Sequence, residues 1–94
     1  MRVWYKQGVW GQLHPIAQKG LGRLAALHDE NGVDLCITSI QEGTHSPGSL
    51  HYCGMAFDFL KQFIKIADIK EALGKEWDVI DEKTHYHAEY DPKP

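Results

Sequence analysis

The chain has few cysteines, no concentrated charge of one sign and no long apolar run. Its two cysteines, Cys36 and Cys53, form no CxxC pair and no framework spacing, which argues against a disulfide-built scaffold or a thioredoxin-type redox site. Cys36 sits in the apolar run "DLCITSI", where a buried free thiol is the plain expectation, with one disulfide to Cys53 as the alternative. There is no block of Lys or Arg, and the formal net charge is −3. That balance speaks against a nucleic-acid partner or an anionic membrane surface. No run is long enough to insert into a bilayer. The opening "MRVWYKQGVWG" carries an early Arg but no continuous apolar stretch of the secretory kind. The expectation is a soluble monomer made in the cytoplasm without a signal peptide. Repeats, low-complexity tracts and linkers are missing too, so residues 1–94 read as a single domain.

What is present is an ordinary globular composition, 43% hydrophobic and 24% charged over 94 residues. A core of that size is marginal, and domains like it often add a metal or a covalent staple. The first eleven residues alternate aromatics with glycine (Trp4, Tyr5, Gly8, Trp10, Gly11) and read as an arm packing its indoles on the domain. From Pro15, apolar residues recur at helical spacing through Ala17, Leu21, Leu24, Ala25 and His28, and "DENG" stops the helix with Gly32 as its cap. "VDLCITSI" and "GMAFDFL" read as strands, and "QEGTHSPGS" between them as a loop. "IKIADIKEALGK" reads as a second helix stopped at Gly74, followed by two short strands, "EWDVID" and "HYHAEY", joined around Lys83. This order predicts an α+β fold, a small antiparallel sheet covered by helices.

Two stretches carry residues suited to chemistry. In "SLHYCGMAFDF", His51 lies at the end of the loop and Asp58 on the strand that follows Gly54. An imidazole and a carboxylate are both competent Zn²⁺ ligands, but two are too few. In "DEKTHYHAEYD", His85 and His87 alternate with Tyr86 and so share a strand face. One can ligate while the other stands beside the metal. Asp81 and Glu82, just upstream, offer a carboxylate as general base for a water. His14 and His28 read as surface or helix-face residues, and His45 as a loop residue that is either solvated or lines a cleft.

The run "SLHYCGMAFD" fits the pattern Ser-x-His-x-x-Gly-x-Ala-x-Asp at Ser49, His51, Gly54, Ala56 and Asp58. It resembles the zinc D-Ala-D-Ala carboxypeptidase and L-alanyl-D-glutamate endopeptidase family, whose fold is shared with the Hedgehog signalling domain. "DEKTHYHAEYDP" is similar to that family's second element, and the resemblance spans Ile37 to Asp91. It implies one Zn²⁺ per chain held by His51, Asp58 and His87, with Glu82 as general base and Asp81 as its rival. His85 would hydrogen-bond the oxyanion, while Gln41, His45 and Ser49 would meet substrate or orient a ligand. Gly54 and Ala56 would leave room for close packing around the metal. Many relatives carry an Arg after the first strand, which anchors a substrate carboxylate. Here that zone offers Gln41, Glu42 and His45, which shifts the expectation toward an internal amide of the peptidoglycan stem peptide, as in endolysin-type members. The implied setting is the cell wall, in bacteriophage lysis or tail function or in wall remodelling by a bacterium. A non-catalytic zinc-binding module of the same fold is the alternative.

Overall fold

The computed structural model of the chain describes residues 3–9, 11–40 and 54–92. Seven elements follow in order: β1 (Val3–Tyr5), α1 (Pro15–Glu30), β2 (Leu35–Ser39), β3 (Ala56–Leu60), α2 (Ile66–Leu73), β4 (Trp77–Asp81) and β5 (His85–Tyr90). The strands form one five-stranded sheet in the order β1-β2-β3-β5-β4. Strands β2 to β5 pair antiparallel, whereas β1 runs parallel to β2. The sheet is therefore mixed rather than wholly antiparallel. A parallel pair needs a crossover connection, and α1 provides it.

Helix α1 begins where the sequence places it. Pro15 occupies the first turn, where its missing N–H costs nothing, and the His14 Nδ1 accepts from the Ile16 N–H at 3.2 Å. Ala17, Gly20, Leu24 and His28 form its buried stripe. The cap residue is Asn31, one position before the expected Gly32, which follows at φ 67. Asn31 returns its side-chain Nδ2–H to the Leu27 carbonyl at 2.8 Å. Gly20 is dictated by packing: a Cβ there would overlap the Trp77 ring. Helix α2 ends at Gly74, φ 98. Arg23 of α1 donates to the carbonyls of Ala72 at 3.0 Å and Leu73 at 2.8 Å. One guanidinium thus satisfies two of the acceptors that a helix leaves open at its C-terminus, and its charge suits that end of the dipole.

Alternation divides the residues of the sheet between two faces. Phe57, Phe59, Tyr86, Ala88, Trp77 and Val79 join Leu13, Ala17, Leu24, Leu35, Ile37, Ile69 and Leu73 in one apolar cluster. Its rings meet at tilted or edge angles, with centroids 5.7 Å apart for Phe57–Trp77 and for Phe59–Tyr86, the geometry that ring quadrupoles favour. The intervening residues Asp58, His85, His87 and Glu89 stand on the other face and are half-buried.

Some expectations need correction. The N-terminal arm leaves its Trp4 indole largely at the surface: it is an exposed edge-strand residue whose Nε1–H donates to Asp34 Oδ2 at 3.1 Å. Trp10 lies outside the described residues. Of the two readings of His28, surface or helix face, the second holds: it lies on the buried face of α1 and is 1% exposed. Its Nδ1–H donates to the Leu24 carbonyl at 2.9 Å, so the buried ring has a partner one turn back. Gly54, expected to leave room for close backbone packing, does so against the segment Gln12 to His14 that leads into α1. It sits at φ +75, and a Cβ would stand 2.5 Å from the Gln12 carbonyl oxygen and 3.0 Å from the His14 nitrogen. The His14 N–H donates to the Gly54 carbonyl at 3.0 Å. Backbone meets backbone here, so little can yield. Gly54→Ala is expected to cost about 2–4 kcal/mol, read as a lowered urea midpoint; an unchanged midpoint would show that this contact is dispensable. Cys36, expected to be buried, is a half-buried free thiol.

Candidate metal centre

The site grows from the pairing of β3 with β5. In that register Asp58 lies opposite His87, Leu60 opposite His85 and Ala56 opposite Glu89. Strand period places His85, His87 and Glu89 on one face, two residues apart. Asp58 Oδ1 lies 2.8 Å from His87 Nδ1, and Glu89 Oε1 lies 2.8 Å from His87 Nε2. His85 Nε2 stands 3.7 Å from Asp58 Oδ2 and 3.7 Å from Glu82 Oε1. Asp58 is thus flanked by the two histidines, one at each of its oxygens. The Thr84 hydroxyl lies 3.3 Å from His85 Nδ1.

A register shift in β2 completes the face. Ile37 pairs with Phe59 and Ser39 with Asp58, so two steps on β2 match one step on β3. The extra residue re-aims the strand, as bulges do beside functional sites. Ile37 stays with the core, while Ser39 comes to lie opposite Asp58.

The two acidic candidates part company. Glu82 sits at the start of the β4–β5 connection, where its N–H donates to the His85 carbonyl at 3.0 Å and its side chain reaches toward His85. Asp81 lies opposite Tyr86, on the other strand parity, and pairs with Lys61. The Lys61 ammonium also stands 5.2 Å from the centre of the Tyr86 ring.

Of the residues singled out from the sequence, Asp58, His85, His87 and Glu82 come together. Gln41, His45, Ser49 and His51 lie outside the described residues. Glu89 was missed, although its place two residues after His87 in an alternating strand was the available signal. Asp78 was missed too; it lies opposite Glu89. Among the described residues, one set of three acidic or ligating side chains, Asp78, Glu89 and Asp91, brings its donor atoms within 4.8 Å of one another. These are hard oxygen donors, a set that suits Mg²⁺ or Ca²⁺ rather than Zn²⁺, and surface carboxylates gather this way without an ion.

Asp58 and His87 are of residue types that ligate zinc. Two donors each roughly 2.1 Å from a tetrahedral zinc stand about 3.4 Å apart, whereas the facing Asp58 and His87 atoms are at hydrogen-bond distance, 2.8 Å. Holding an ion between them would require the pair to part. The two oxygens of Asp58 already face different imidazoles.

Burial alone would depress the His87 pKa, but the hydrogen bonds to Asp58 and Glu89 and the charges of both carboxylates outweigh it and raise the pKa above 6.5. Two carboxylates on two ring nitrogens favour the doubly protonated imidazolium. His28 shifts the opposite way: burial lowers its pKa, and the bond to the Leu24 carbonyl only partly offsets this. The signs follow from linkage. The His87 contribution is fully present below 6.5 and is lost as pH rises through its raised folded value. The His28 contribution is present above 6.5 and is lost as pH falls through its lowered folded value. The metal-free chain is therefore expected to lose stability on both sides of the histidine range. Urea melts across pH check this, and His87→Gln should remove the alkaline-side loss alone.

No family model, curated protein or solved structure matches this chain.

Proposed function

We propose that the chain is a zinc-dependent peptidase that hydrolyses an amide bond in the stem peptide of peptidoglycan. The observation that supports this most is the cross-strand contact of Asp58 with His87, with His85 and Glu82 beside it. Cross-strand pairing brings together residues that lie 29 positions apart. It sets a carboxylate and two imidazoles on one half-buried face, with the exposed Glu82 of the β4–β5 connection beside His85, a combination suited to hydrolysis.

In this reading His51, Asp58 and His87 hold the zinc, which when bound polarises the scissile carbonyl and acidifies a water. Glu82 accepts the proton from that water and hands it to the departing amine. His85, within reach of both Asp58 and Glu82, donates a hydrogen bond to the oxyanion as it forms, a contribution of about 3 kcal/mol for a well-placed donor. Gln41, His45 and Ser49 belong to the substrate side. With no arginine in residues 41–49 to pair with a terminal carboxylate, an internal amide is the favoured substrate bond. The wall places the enzyme's work outside the cytoplasm, in phage-mediated lysis or in remodelling by a bacterium.

The deciding experiment is digestion of purified peptidoglycan by the zinc-loaded chain, with mass analysis of the released fragments. Each product pair should sum to the parent mass plus one water, and the masses name the bond. Intact peptidoglycan with zinc bound would replace this reading with that of a zinc-binding module.

A further inference from the structure

We propose that Glu89 is a positioning residue that holds His87 in its Nε2–H tautomer, leaving Nδ1 as the nitrogen presented beside Asp58 to a divalent cation. The inference rests on the zinc reading above and assigns a role to a residue outside the predicted ligand set. His87 lies between two carboxylates, with Asp58 at 2.8 Å on Nδ1 and Glu89 at 2.8 Å on Nε2. All three side chains are largely shielded, at 13% exposure for His87, 14% for Asp58 and 23% for Glu89. A neutral imidazole carries one hydrogen, so only one carboxylate can receive it.

The zinc reading assigns that hydrogen to the Glu89 side, because Nδ1 is the nitrogen that faces Asp58, the other proposed ligand. Asp58 has its second oxygen toward His85, and its partner in zinc binding would be a bare ring nitrogen. The pairing also leaves room for Glu89 to turn toward the ring, because the residue opposite it is the small Ala56. A carboxylate that accepts from the far nitrogen of a ligating imidazole fixes ring orientation and raises ligand basicity.

The test uses the whole chain, metal-free and ¹⁵N-labelled, at a pH above the histidine range, with long-range ¹H–¹⁵N correlation of the His87 ring. The parent should show the Nε2–H tautomer. Glu89→Ala should move it toward Nδ1–H, and Glu89→Gln, whose amide oxygen still accepts, should keep it. Zinc titration should then show affinity weakened about 10- to 100-fold in Glu89→Ala and largely rescued in Glu89→Gln. A parent ring in the Nδ1–H form, or Glu89→Ala with parental zinc affinity, overturns the assignment. If Glu89→Ala does not fold, the parent tautomer and the Glu89→Gln titration still decide. The tautomer needs neither metal nor substrate. A parent with the Nε2–H ring that leaves peptidoglycan intact therefore refutes the peptidase reading alone, and a cleaving parent with the Nδ1–H ring refutes only the role of Glu89.

Discussion

Asp58→Ala is expected to abolish the thermal stabilisation that zinc confers on the parent chain. An ion that binds only the folded state stabilises by RT ln(1 + [L]/Kd), about 2.7 kcal/mol when zinc is present at 100 times its Kd. For a domain near this size each kcal/mol shifts Tm by about 4–8 °C, so the parent should gain roughly 10–20 °C on zinc saturation. Asp58 is the ligand candidate most committed to the site, because one oxygen meets His87 at 2.8 Å and the other faces His85 at 3.7 Å. Its removal takes away the single anionic member of the proposed ligand set, and zinc affinity should fall well beyond the 10- to 100-fold that an outer partner costs. The same change has a smaller effect without metal. His87 loses an acceptor on a largely shielded ring, which costs about 1–3 kcal/mol. Scanning calorimetry with and without zinc separates the two effects. A mutant that keeps the full zinc-dependent shift would remove Asp58 from the site.

The parts of the fold that follow from local periodicity were legible in the sequence. The stripe Ala17–Leu24–His28 located α1, and Ile69 with Leu73 located α2. Alternation in "HYHAEY" placed His85 and His87 on one face, as the β5 register confirms. What was not legible depends on long-range contacts. His28 fitted the helical stripe but was left open between surface and helix face; the i−4 carbonyl that satisfies it becomes apparent only once the helix is buried. The pairing of β1 with β2 leaves no periodic trace in three residues. The close backbone packing expected at Gly54 is present, but its partner was not legible, because that backbone lies some forty positions earlier in the chain, at Gln12 to His14.

The bulge in β2 shows how tertiary detail alters a pattern-based reading. Simple alternation gives Ile37 and Ser39 the same face. The two-for-one register instead leaves Ile37 in the core and brings Ser39 opposite Asp58. An unbulged strand would have set Thr38 opposite Asp58 in its place. The candidate site is correspondingly a property of pairing: Asp58 meets His87 because β3 and β5 are neighbours in space, although α2 and β4 separate them in the chain.

Glu82→Gln is expected to lower peptide cleavage by about 10²- to 10⁴-fold, the range that general-base catalysis contributes, while zinc affinity stays within about twofold of the parent. The substitution keeps the shape of the side chain and leaves the backbone bond from Glu82 N–H to the His85 carbonyl in place, so the hairpin should hold. It removes only the capacity to take up a proton beside His85. Asp81→Asn is the matched comparison. Asp81 is 55% exposed and paired with Lys61, and an exposed pair of this kind is worth at most about 1 kcal/mol. Its position opposite Tyr86 sets it on the strand parity away from the histidines. That variant should therefore cleave nearly as fast as the parent. Single-turnover cleavage rates with zinc saturating in both variants make the comparison clean. A large loss in Asp81→Asn with little in Glu82→Gln would transfer the role of base to Asp81. Equal and small losses in both would mean that neither carboxylate carries the proton, leaving the zinc site without the base that hydrolysis requires.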